Sequence, residues 1–296
     1  MTGLHVPVLT AEVLRELRPE RGGLFVDCTV GLGGHSRALL ESGATGVVGL
    51  DRDGAALSIA RETLAPWRDR VDLVHADYRT IEDVLDARGI RLVDGALADL
   101  GVSSMQFDAA GRGFSFQRDE PLDMRMDQSR GDTAAQLIAR ATERELADTI
   151  YSYGEERFSR RIARAMVAAR QESPLDTTLK LATIVRRAIP SRGYQRIDPA
   201  TRTFQAMRIW VNGELEGLDR FIEAAARRLR IGARLVVLTF HSLEDRIVKH
   251  TFRALERGRE TVLKVLTKKP VVPGDEEIRL NPRARSAKLR AAEKLA

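Results

Sequence analysis

One stretch near the start of the chain constrains the fold more than any other: Phe25 to His35 reads Phe-Val-Asp-Cys-Thr-Val-Gly-Leu-Gly-Gly-His. An apolar run that ends in an acid, followed by glycines and an amphipathic segment, is typical of a buried strand turning tightly into a helix. Gly31, Gly33 and Gly34 can adopt positive φ angles and allow a ligand to approach the backbone closely. The helix that follows would direct free N–H groups and the positive end of its dipole toward that ligand. The stretch therefore predicts a ligand-binding turn after the first strand.

A carboxylate follows the second predicted strand at a spacing that points to a nucleoside ligand. Residues 46–50 are apolar and end at Asp51, close to the separation of ~20 residues at which a carboxylate meets ribose hydroxyls. A nicotinamide dinucleotide and S-adenosylmethionine both carry such a ribose. The dinucleotide fingerprint is G-x-G-x-x-G, whereas Gly31 to Gly34 gives G-x-G-G, so spacing separates the two ligands only in part. A purely structural tight turn is the third interpretation of these glycines.

Strands and helices alternate through the first hundred residues, which predicts an α/β fold with a parallel, doubly wound sheet. The apolar runs predict strands at 24–28, 46–50, 71–75 and 92–100. The intervening patterns predict helices at 10–17, from the mid-thirties to Ser42, at 55–64 and at 80–88, with Asp53 as an N-cap.

The alternation stops at Leu100, and only helical patterns follow an irregular stretch at 101–130. We therefore predict three segments: a first part of the sheet domain at 1–104, an inserted all-helical domain at 105–200, and a second part of the sheet domain at 201–296.

The last segment is predicted to return the chain to the sheet. Apolar residues spaced by threes and fours predict one long helix from Phe204 to Leu229, ended by Gly232. A strand at 233–240 and a helix from Ser242 follow. Two late strands, at 262–266 and 286–292, have no helix predicted between them, which favours an antiparallel hairpin at the sheet edge. Such a hairpin fits a methyltransferase sheet better than a dehydrogenase sheet.

Loops after the parallel strands should converge on one site, because the carboxyl ends of these strands meet at one sheet edge. Asp51 would meet the ribose, Tyr78 would lie against the adenine, and Asp99 would add a second carboxylate. The alternatives are ordinary packing of Tyr78 at the rim and a turn-capping role for Asp99.

Composition limits the remaining function classes. The 296 residues include 48 Lys and Arg against 42 Asp and Glu, a net charge of +6 that makes a polyanionic partner plausible. The single cysteine, Cys28, allows no internal disulfide and no multi-cysteine zinc site, so we expect a reducing cytoplasm. We expect no signal peptide, no membrane span and no metal, because no apolar run is long enough and no His, Asp and Glu cluster has metal-ligand spacing.

Nine blocks, taken in order, resemble the bacterial ribosomal RNA small subunit methyltransferase H family over nearly the whole chain. They are Asp27–His35, Leu50–Asp53, Asp99–Ser104, Arg112–Phe116, Pro121–Asp127, Tyr153–Arg157, Pro199–Gln205, Phe240–Arg246 and Asn281–Ser286. The resemblance implies a Rossmann-like class I methyltransferase sheet that uses S-adenosylmethionine to methylate the exocyclic N4 of a cytosine in the decoding (P-site) region of 16S rRNA. It implies cofactor contacts at Gly33, Gly34, His35, Asp51, Tyr78, Asp99 and Gln106.

The residues themselves agree with N4 chemistry in one respect. Methylation at C5 of cytosine needs a cysteine nucleophile, and Cys28 is placed as a small buried hydrophobe within the first strand. We predict that Asp99, or the Gly101–Ser104 loop with Ser103 and Ser104, holds the amino hydrogens of the target base. His241 is a candidate for contact with that base, although a structural role that ties loops together is an equal alternative.

RNA is expected to bind two groups of basic residues. They are Arg157, Arg160, Arg161 and Arg164, with Arg157 and Arg161 as the named candidates, and the tail residues Arg283, Arg285, Lys288 and Arg290. Solvated helix or strand faces are the alternative for both groups. The expected partner is 16S rRNA within the small ribosomal subunit, and the chain acts as a monomer or a dimer.

Two other functions stay open at this stage: a nicotinamide-dependent oxidoreductase and a non-catalytic RNA-binding assembly factor.

Overall fold

The computed structural model describes residues 7–190, 197–258 and 262–295. The chain forms two compact units: Met1–Gly101 together with Leu215–Ala296, called the sheet unit, and Val102–Glu214, called the helical unit. The domain limits at 105 and 200 that the sequence predicts both lie inside the helical unit and remain a prediction. Within the described residues, no helix is both long and apolar enough to cross a bilayer.

The described part of the sheet unit contains a sheet of seven strands in the order β3-β2-β1-β4-β5-β7-β6. The strands are β1 (Leu24–Asp27), β2 (Gly46–Asp51), β3 (Val71–His75), β4 (Val93–Asp99), β5 (Leu229–Thr239), β6 (Leu263–Val265) and β7 (Lys288–Lys294). Strands β1 to β5 pair in parallel, whereas β7 runs antiparallel to both β5 and β6. The predicted parallel sheet and the antiparallel pairing of the two late strands at its edge are therefore confirmed.

Helices cover both faces of this sheet and make up most of the helical unit. In chain order they are α1 (Thr10–Leu17), α2 (Gly34–Glu41), α3 (Gly54–Thr63), α4 (Ile81–Asp86), α5 (Ser104–Asp108), α6 (Ala134–Arg140), α7 (Glu143–Gly154), α8 (Ser159–Glu172), α9 (Thr178–Ala188), α10 (Ala200–Asn212), α11 (Leu218–Arg228), α12 (Ser242–Arg257) and α13 (Asp275–Leu280). Asp53 caps α3 as predicted, since its carboxylate accepts the N–H groups of Ala55 and Ala56.

Two hydrophobic cores lie on the two faces of the sheet, because alternate residues of each strand point to opposite sides. Val26 and Val48 pack with Phe221 of α11 on one face. Phe25 and Leu97 pack with residues of α1 and α2 on the other. Burial on both faces explains why these strands read as continuous apolar runs rather than as alternating ones.

The helical unit has its own core, formed by α6 to α10 and the irregular segment before them. Met124, Ile138, Ile150, Met166 and Val185 are all fully buried there. This core follows from the i, i+3, i+4 apolar spacing that predicted helices in this part of the chain.

The single long helix predicted from Phe204 to Leu229 is wrong. Helix α10 ends at Asn212. Its C-cap Gly213 adopts φ +56° and donates its N–H to carbonyls of the last turn, and α11 begins after Gly217 at φ +68°. Apolar spacing continued across this break, but two glycines in the left-handed region cannot continue a helix.

Two further expectations about the last segment need correction. Gly232 does not stop a helix: it lies inside β5 with φ +80°, near a register shift between β4 and β5. The strands β6 and β7 are also not joined by helix-free chain, because α13 and a 3-10 helix at Pro282–Ser286 lie between them. Both segments are short and lack a long apolar stripe, so periodicity alone did not reveal them.

Candidate functional site

The strand order of the sheet reverses between β1 and β4, and ligands of open α/β sheets bind beyond the carboxyl ends of the strands at such a point. Asp27 pairs in register with Leu97, so Asp27 and Asp99 leave the sheet at the same edge. The side-chain oxygen of Thr29 accepts the backbone N–H of Asp99 at 2.6 Å. The ends of the two strands are therefore tied together where a ligand is expected.

The glycine turn after β1 has the predicted left-handed geometry. Gly31 has φ +53° and Gly33 has φ +86°. A Cβ at Gly31 would meet only the carbonyl of Thr29, at 4.0 Å, whereas one at Gly34 would lie 2.8 Å from Pro7. The space above Gly31 is therefore open, and Gly34 is required by packing.

Helix α2 begins at Gly34, and its N-cap Gly33 provides no side-chain hydrogen bond. The N–H groups of the first turn thus keep their capacity to bind an anionic group such as a carboxylate. These backbone groups include those of Gly34 and His35, which the sequence predicts to contact the cofactor. The N–H of Gly33 is already used, since it donates to the Val30 carbonyl at 2.8 Å.

Asp51 ties the glycine turn to the end of β2. Its carboxylate accepts the N–H of Gly31 at 2.7 Å and the N–H of Asp53 at 2.8 Å. Burial raises the pKa of Asp51 to about 6, and these two N–H groups act in the opposite direction. Each carboxylate oxygen has a second lone pair, so the group can still accept ribose hydroxyls.

Asp99 carries an acceptor that the protein does not satisfy. Its Oδ1 atom is buried and, in the described ranges, has no hydrogen-bond partner. Its Oδ2 atom lies 3.5 Å from Nε2 of His35. Among the described residues, neither ring nitrogen of His35 has a partner at hydrogen-bonding geometry. Buried polar atoms are nearly always paired in folded proteins, so this cluster points to a polar ligand.

Asp27 joins the same cluster and was not singled out from the sequence. It is 1% exposed, accepts the hydroxyl of Ser36 at 2.7 Å, and has a pKa raised by burial. The charges of His35 and Asp99 both act on it, in opposite directions. The sequence contained a signal for Asp27, because an acid that ends a buried strand directly before a glycine turn is unusual. The burial of its carboxylate could not be predicted, since it depends on how α2 packs against the sheet.

Tyr78 lies in the loop after β3 and has a protein partner for its ring. The ring packs edge-on against Phe221 of α11, with centroids 4.7 Å apart. The neighbouring Asp77 holds this loop, since Arg79 binds it at 2.8 and 2.6 Å and Arg52 lies within 3.5 Å. Burial alone would raise the pKa of Asp77, but the hydrogen bonds from Arg79 outweigh it and lower the pKa. Contact of Tyr78 with adenine remains a prediction.

Ser103, Ser104 and Gln106 belong to the helical unit, at the start of α5. Ser103 and Gln106 form a capping box, in which the Gln106 side-chain oxygen accepts the Ser103 N–H at 3.0 Å and the Ser103 hydroxyl accepts the Gln106 N–H at 3.3 Å. This structural role was not expected, and contacts of these three residues with cofactor or substrate stay predictions.

Two other expected substrate residues also lie in the helical unit. Arg157 and Arg161 are exposed, and the Arg157 guanidinium stacks over the ring of Phe158 at 4.6 Å. Arg161 lies in the first turn of α8.

His241 caps α12: its Nδ1 accepts the Glu244 N–H at 3.4 Å, and Glu244 accepts the backbone N–H of His241 in return. His241 thus has a structural role at the start of one helix, which differs from the predicted alternative of tying two loops together. Its contact with a base is untested.

The tail residues were predicted to bind RNA, with a solvated strand edge as the alternative, and that alternative does not hold for Arg290. Arg290 is 5% exposed and its guanidinium binds Asp245 at 2.6 Å, with Lys288 within 3.5 Å of the same carboxylate. Strand β7 lies between β5 and β6, so its side chains pack against other elements rather than facing solvent.

The fold and this site define an enzyme class. The antiparallel β7 inserted between β5 and β6, with a glycine turn and carboxylates at the switch point, makes this a Rossmann-like class I methyltransferase. The groups present fit S-adenosylmethionine as the methyl donor: uncapped N–H groups for its methionine carboxylate, Asp51 for its ribose, and the unsatisfied Oδ1 of Asp99.

Comparison with known proteins identifies the family. The model of the MraW methylase family matches residues 2–295, and the chain belongs to that family. Proteins named ribosomal RNA small subunit methyltransferase H are similar over most of their length. The one from Sorangium cellulosum is 54% identical over 291 residues, covering 98% of this chain and 91% of the relative. The one from Geotalea uraniireducens is 47% identical over 307 residues, covering 98% of each chain.

Proposed function

We propose that this chain transfers a methyl group from S-adenosylmethionine to the exocyclic N4 of a cytosine in the decoding region of 16S rRNA, within the small ribosomal subunit in the cytoplasm. The names of its relatives support a substrate in the small-subunit RNA. The observation that carries the chemistry is the unsatisfied carboxylate oxygen of Asp99 at the switch point of the sheet.

The exocyclic amine of cytosine is a poor nucleophile, because its lone pair is conjugated with the ring. A carboxylate that accepts hydrogen bonds from the amino hydrogens can rotate the lone pair toward an incoming methyl group. When bound, S-adenosylmethionine would supply the methyl group: the N–C bond would form as the S–C bond breaks, the thioether would be the leaving group, and the amine would release one proton. Asp99 has the required acceptor, and fixing nitrogen in line with that methyl group supplies much of the rate enhancement.

Methylation at the ring carbon C5 is disfavoured by the state of the single cysteine. Cys28 is 1% exposed, and burial raises the pKa of its thiol well above its ordinary value. A buried, protonated thiol cannot add to a pyrimidine ring. Transfer to an amine needs no such covalent intermediate.

The remaining roles are proposed on the same basis. Gly33, Gly34, His35, Asp51 and Tyr78 hold the cofactor, together with Asp99 and Gln106. Ser103, Ser104, His241, Arg157 and Arg161 are proposed to position the RNA. Asp27 is added as a positioning residue, because it lies buried beneath the turn that carries His35.

The test is to incubate the purified protein with small subunits that lack the modification and with cofactor labelled in its methyl group. We expect label in the cytidine fraction of 16S rRNA and no binding of a nicotinamide dinucleotide by titration. Label confined to ribosomal proteins, or no label despite tight binding to subunits, would contradict the proposal and favour an assembly factor.

A further inference from the structure

A basic cavity lies on the sheet unit and takes no part in the site described above. It has a volume of about 230 Å³ and is formed by the outer face of α12 and the β6–β7 hairpin. Its cationic lining, here called the α12 pocket, comprises Lys249, Arg253, Arg257, Lys268 and Arg290.

Most of this positive charge is unneutralised. Arg290 is held by Asp245 at 2.6 Å. Glu256, the acid in the lining, accepts the backbone N–H of Val265 at 2.9 Å. Among the residues that the structure describes, Lys249, Arg253, Arg257 and Lys268 form no ion pair, and the last three are exposed. Five cations against the one carboxylate of Glu256 leave the lining with a net positive charge, which attracts an anion.

The α12 pocket is distinct from the proposed transfer site. Lys249, Arg253 and Arg257 follow at intervals of four along α12 and so share one helix face. Helix α12 begins at Ser242, directly after the carboxyl end of β5, and Lys249 and Arg257 lie seven and fifteen residues further on. At 1.5 Å per residue these positions are roughly 10 and 22 Å along the helix from the edge that carries Asp99.

We propose that the α12 pocket binds phosphodiester groups of the RNA substrate and so anchors it outside the transfer site; this rests on the proposed function. The lining supplies ammonium and guanidinium groups, which suit phosphate oxygens. Phe252, the aromatic residue of the lining, is only 1% exposed, so the pocket lacks a platform on which bases could stack. The contacts are therefore to the backbone, and they position RNA without reading its sequence.

The test compares two triple variants of the full chain. The pocket variant is Lys249→Gln, Arg253→Gln and Lys268→Gln. The matched control is Arg61→Gln, Arg68→Gln and Arg91→Gln, which removes the same charge from exposed positions of the sheet unit outside the pocket. Neither set includes a residue proposed to bind cofactor, so cofactor affinity measured by titration should equal that of the wild type in both and serves as the check of folding.

The readouts are binding to protein-free 16S rRNA and to small subunits at several salt concentrations, and the steady-state kinetics of methylation. We expect the pocket variant to bind protein-free RNA and small subunits at least tenfold more weakly. The slope of the logarithm of the binding constant against the logarithm of salt concentration should become smaller by about 2, because each of three lost contacts contributes roughly 0.7 on single strands. KM for the subunit should rise with kcat unchanged, while the control behaves like the wild type.

Three results would overturn the inference: unchanged binding of the pocket variant, equal losses in both variants, or a loss on subunits with none on protein-free RNA. The last result would assign the pocket to an acidic segment of a ribosomal protein. If the wild type itself transfers no methyl group to RNA, the proposed function has failed, which is a separate outcome from failure of the pocket.

Discussion

Two carboxylates, Asp99 in the sheet unit and Asp123 in the helical unit, differ in what surrounds them. Asp99 in the sheet unit keeps a buried oxygen with no hydrogen-bond donor among the described residues. Asp123 in the helical unit accepts four donors, from Nε, Nη2 and the N–H of Arg125 at 2.7, 2.9 and 3.0 Å and from Gln128 at 3.2 Å. Both acids lie in blocks that carry the family resemblance, so motif membership alone does not separate ligand binding from structure.

The helical unit uses its motif to hold an irregular segment. Met124 adopts φ +63°, which is strained for a side-chain-bearing residue. Asn212 compensates, because its amide donates to the Met124 carbonyl at 2.7 Å and accepts the Met126 N–H at 2.8 Å. This comparison teaches how to interpret a carboxylate in such a motif. Where protein donors fill its acceptors, as at Asp123, the carboxylate stabilises the fold. Where an acceptor is left open, as at Asp99, the carboxylate can bind a ligand.

The largest expected effect is that of Asp99→Ala on catalysis. Removing the acceptor for the amino hydrogens should lower kcat on the order of 10²-fold or more at saturating cofactor, with a thermal midpoint close to that of the wild type. Steady-state methylation assays measure kcat, and a thermal melt measures the midpoint of unfolding. Near-normal turnover would remove Asp99 from the catalytic role.

Asp123→Ala should show the opposite behaviour. It leaves the partly buried Arg125 guanidinium without its partner, so we expect a loss of roughly 1–3 kcal/mol in the free energy of unfolding. Activity per folded molecule should stay near the wild-type value. The exposed pair in the same unit gives the control: Asp132→Ala should change the unfolding free energy by less than about 1 kcal/mol. Denaturant titration measures both free energies of unfolding. An equal loss in Asp123→Ala and Asp132→Ala would contradict the structural role of Asp123.

The pH dependence of cofactor binding sharpens the account of the sheet unit. Burial raises the pKa of Asp51 from 3.8 to about 6, and the ionised form is the better acceptor for ribose hydroxyls. Cofactor affinity should therefore be constant above pH 7 and fall by up to ~tenfold per unit below pH 6. Asp51→Asn should bind more weakly with no such dependence, as measured by calorimetric titration.

Loss of folding does not account for that expected decrease. Because the folded pKa of Asp51 lies above the unfolded value, its contribution to stability is largest below pH 3.8 and falls as the pH rises toward 6. Acidification between these values thus favours the fold through this group while it weakens binding. A cofactor affinity that does not change between pH 7 and 5 would contradict the role of Asp51.

The smallest expected effect concerns Tyr78. Tyr78→Phe keeps the ring and its edge-on packing with Phe221, so cofactor affinity should change by less than about threefold. Tyr78→Ala removes the ring and should weaken binding roughly 2- to 12-fold, corresponding to ~0.5–1.5 kcal/mol for an aromatic contact. Equal affinities of all three proteins would show that the ring is only packing at the rim.

Sequence reasoning succeeded where the determinants are local. The glycine turn, the strands β1 to β4 and the cap at Asp53 follow from residues within a few positions of one another, and all are found. It failed for the helix that breaks at Gly213, since apolar spacing continues through a stretch that backbone conformation interrupts.

For the site, the sequence located the residues but not their surroundings. Asp99 and Asp51 were expected at strand ends, yet the 3.5 Å approach of His35 to Asp99 joins positions 64 residues apart and depends on how α2 packs against the sheet. The capping box of Ser103 and Gln106 is local and could have been read from its Ser-x-x-Gln spacing. The burial of Arg290 required the position of β7 inside the sheet.

The most direct test of the central claim is the chemical identity of the product formed by the wild type and by Asp99→Ala. Unmodified small subunits are incubated with each protein and cofactor, the RNA is digested, and the methylated nucleoside is identified by chromatography and fragmentation mass spectrometry. We predict N4-methylcytidine from the wild type and almost none from the variant. A methyl group on C5 or on the ribose, or an equal yield of N4-methylcytidine from Asp99→Ala, would contradict the account.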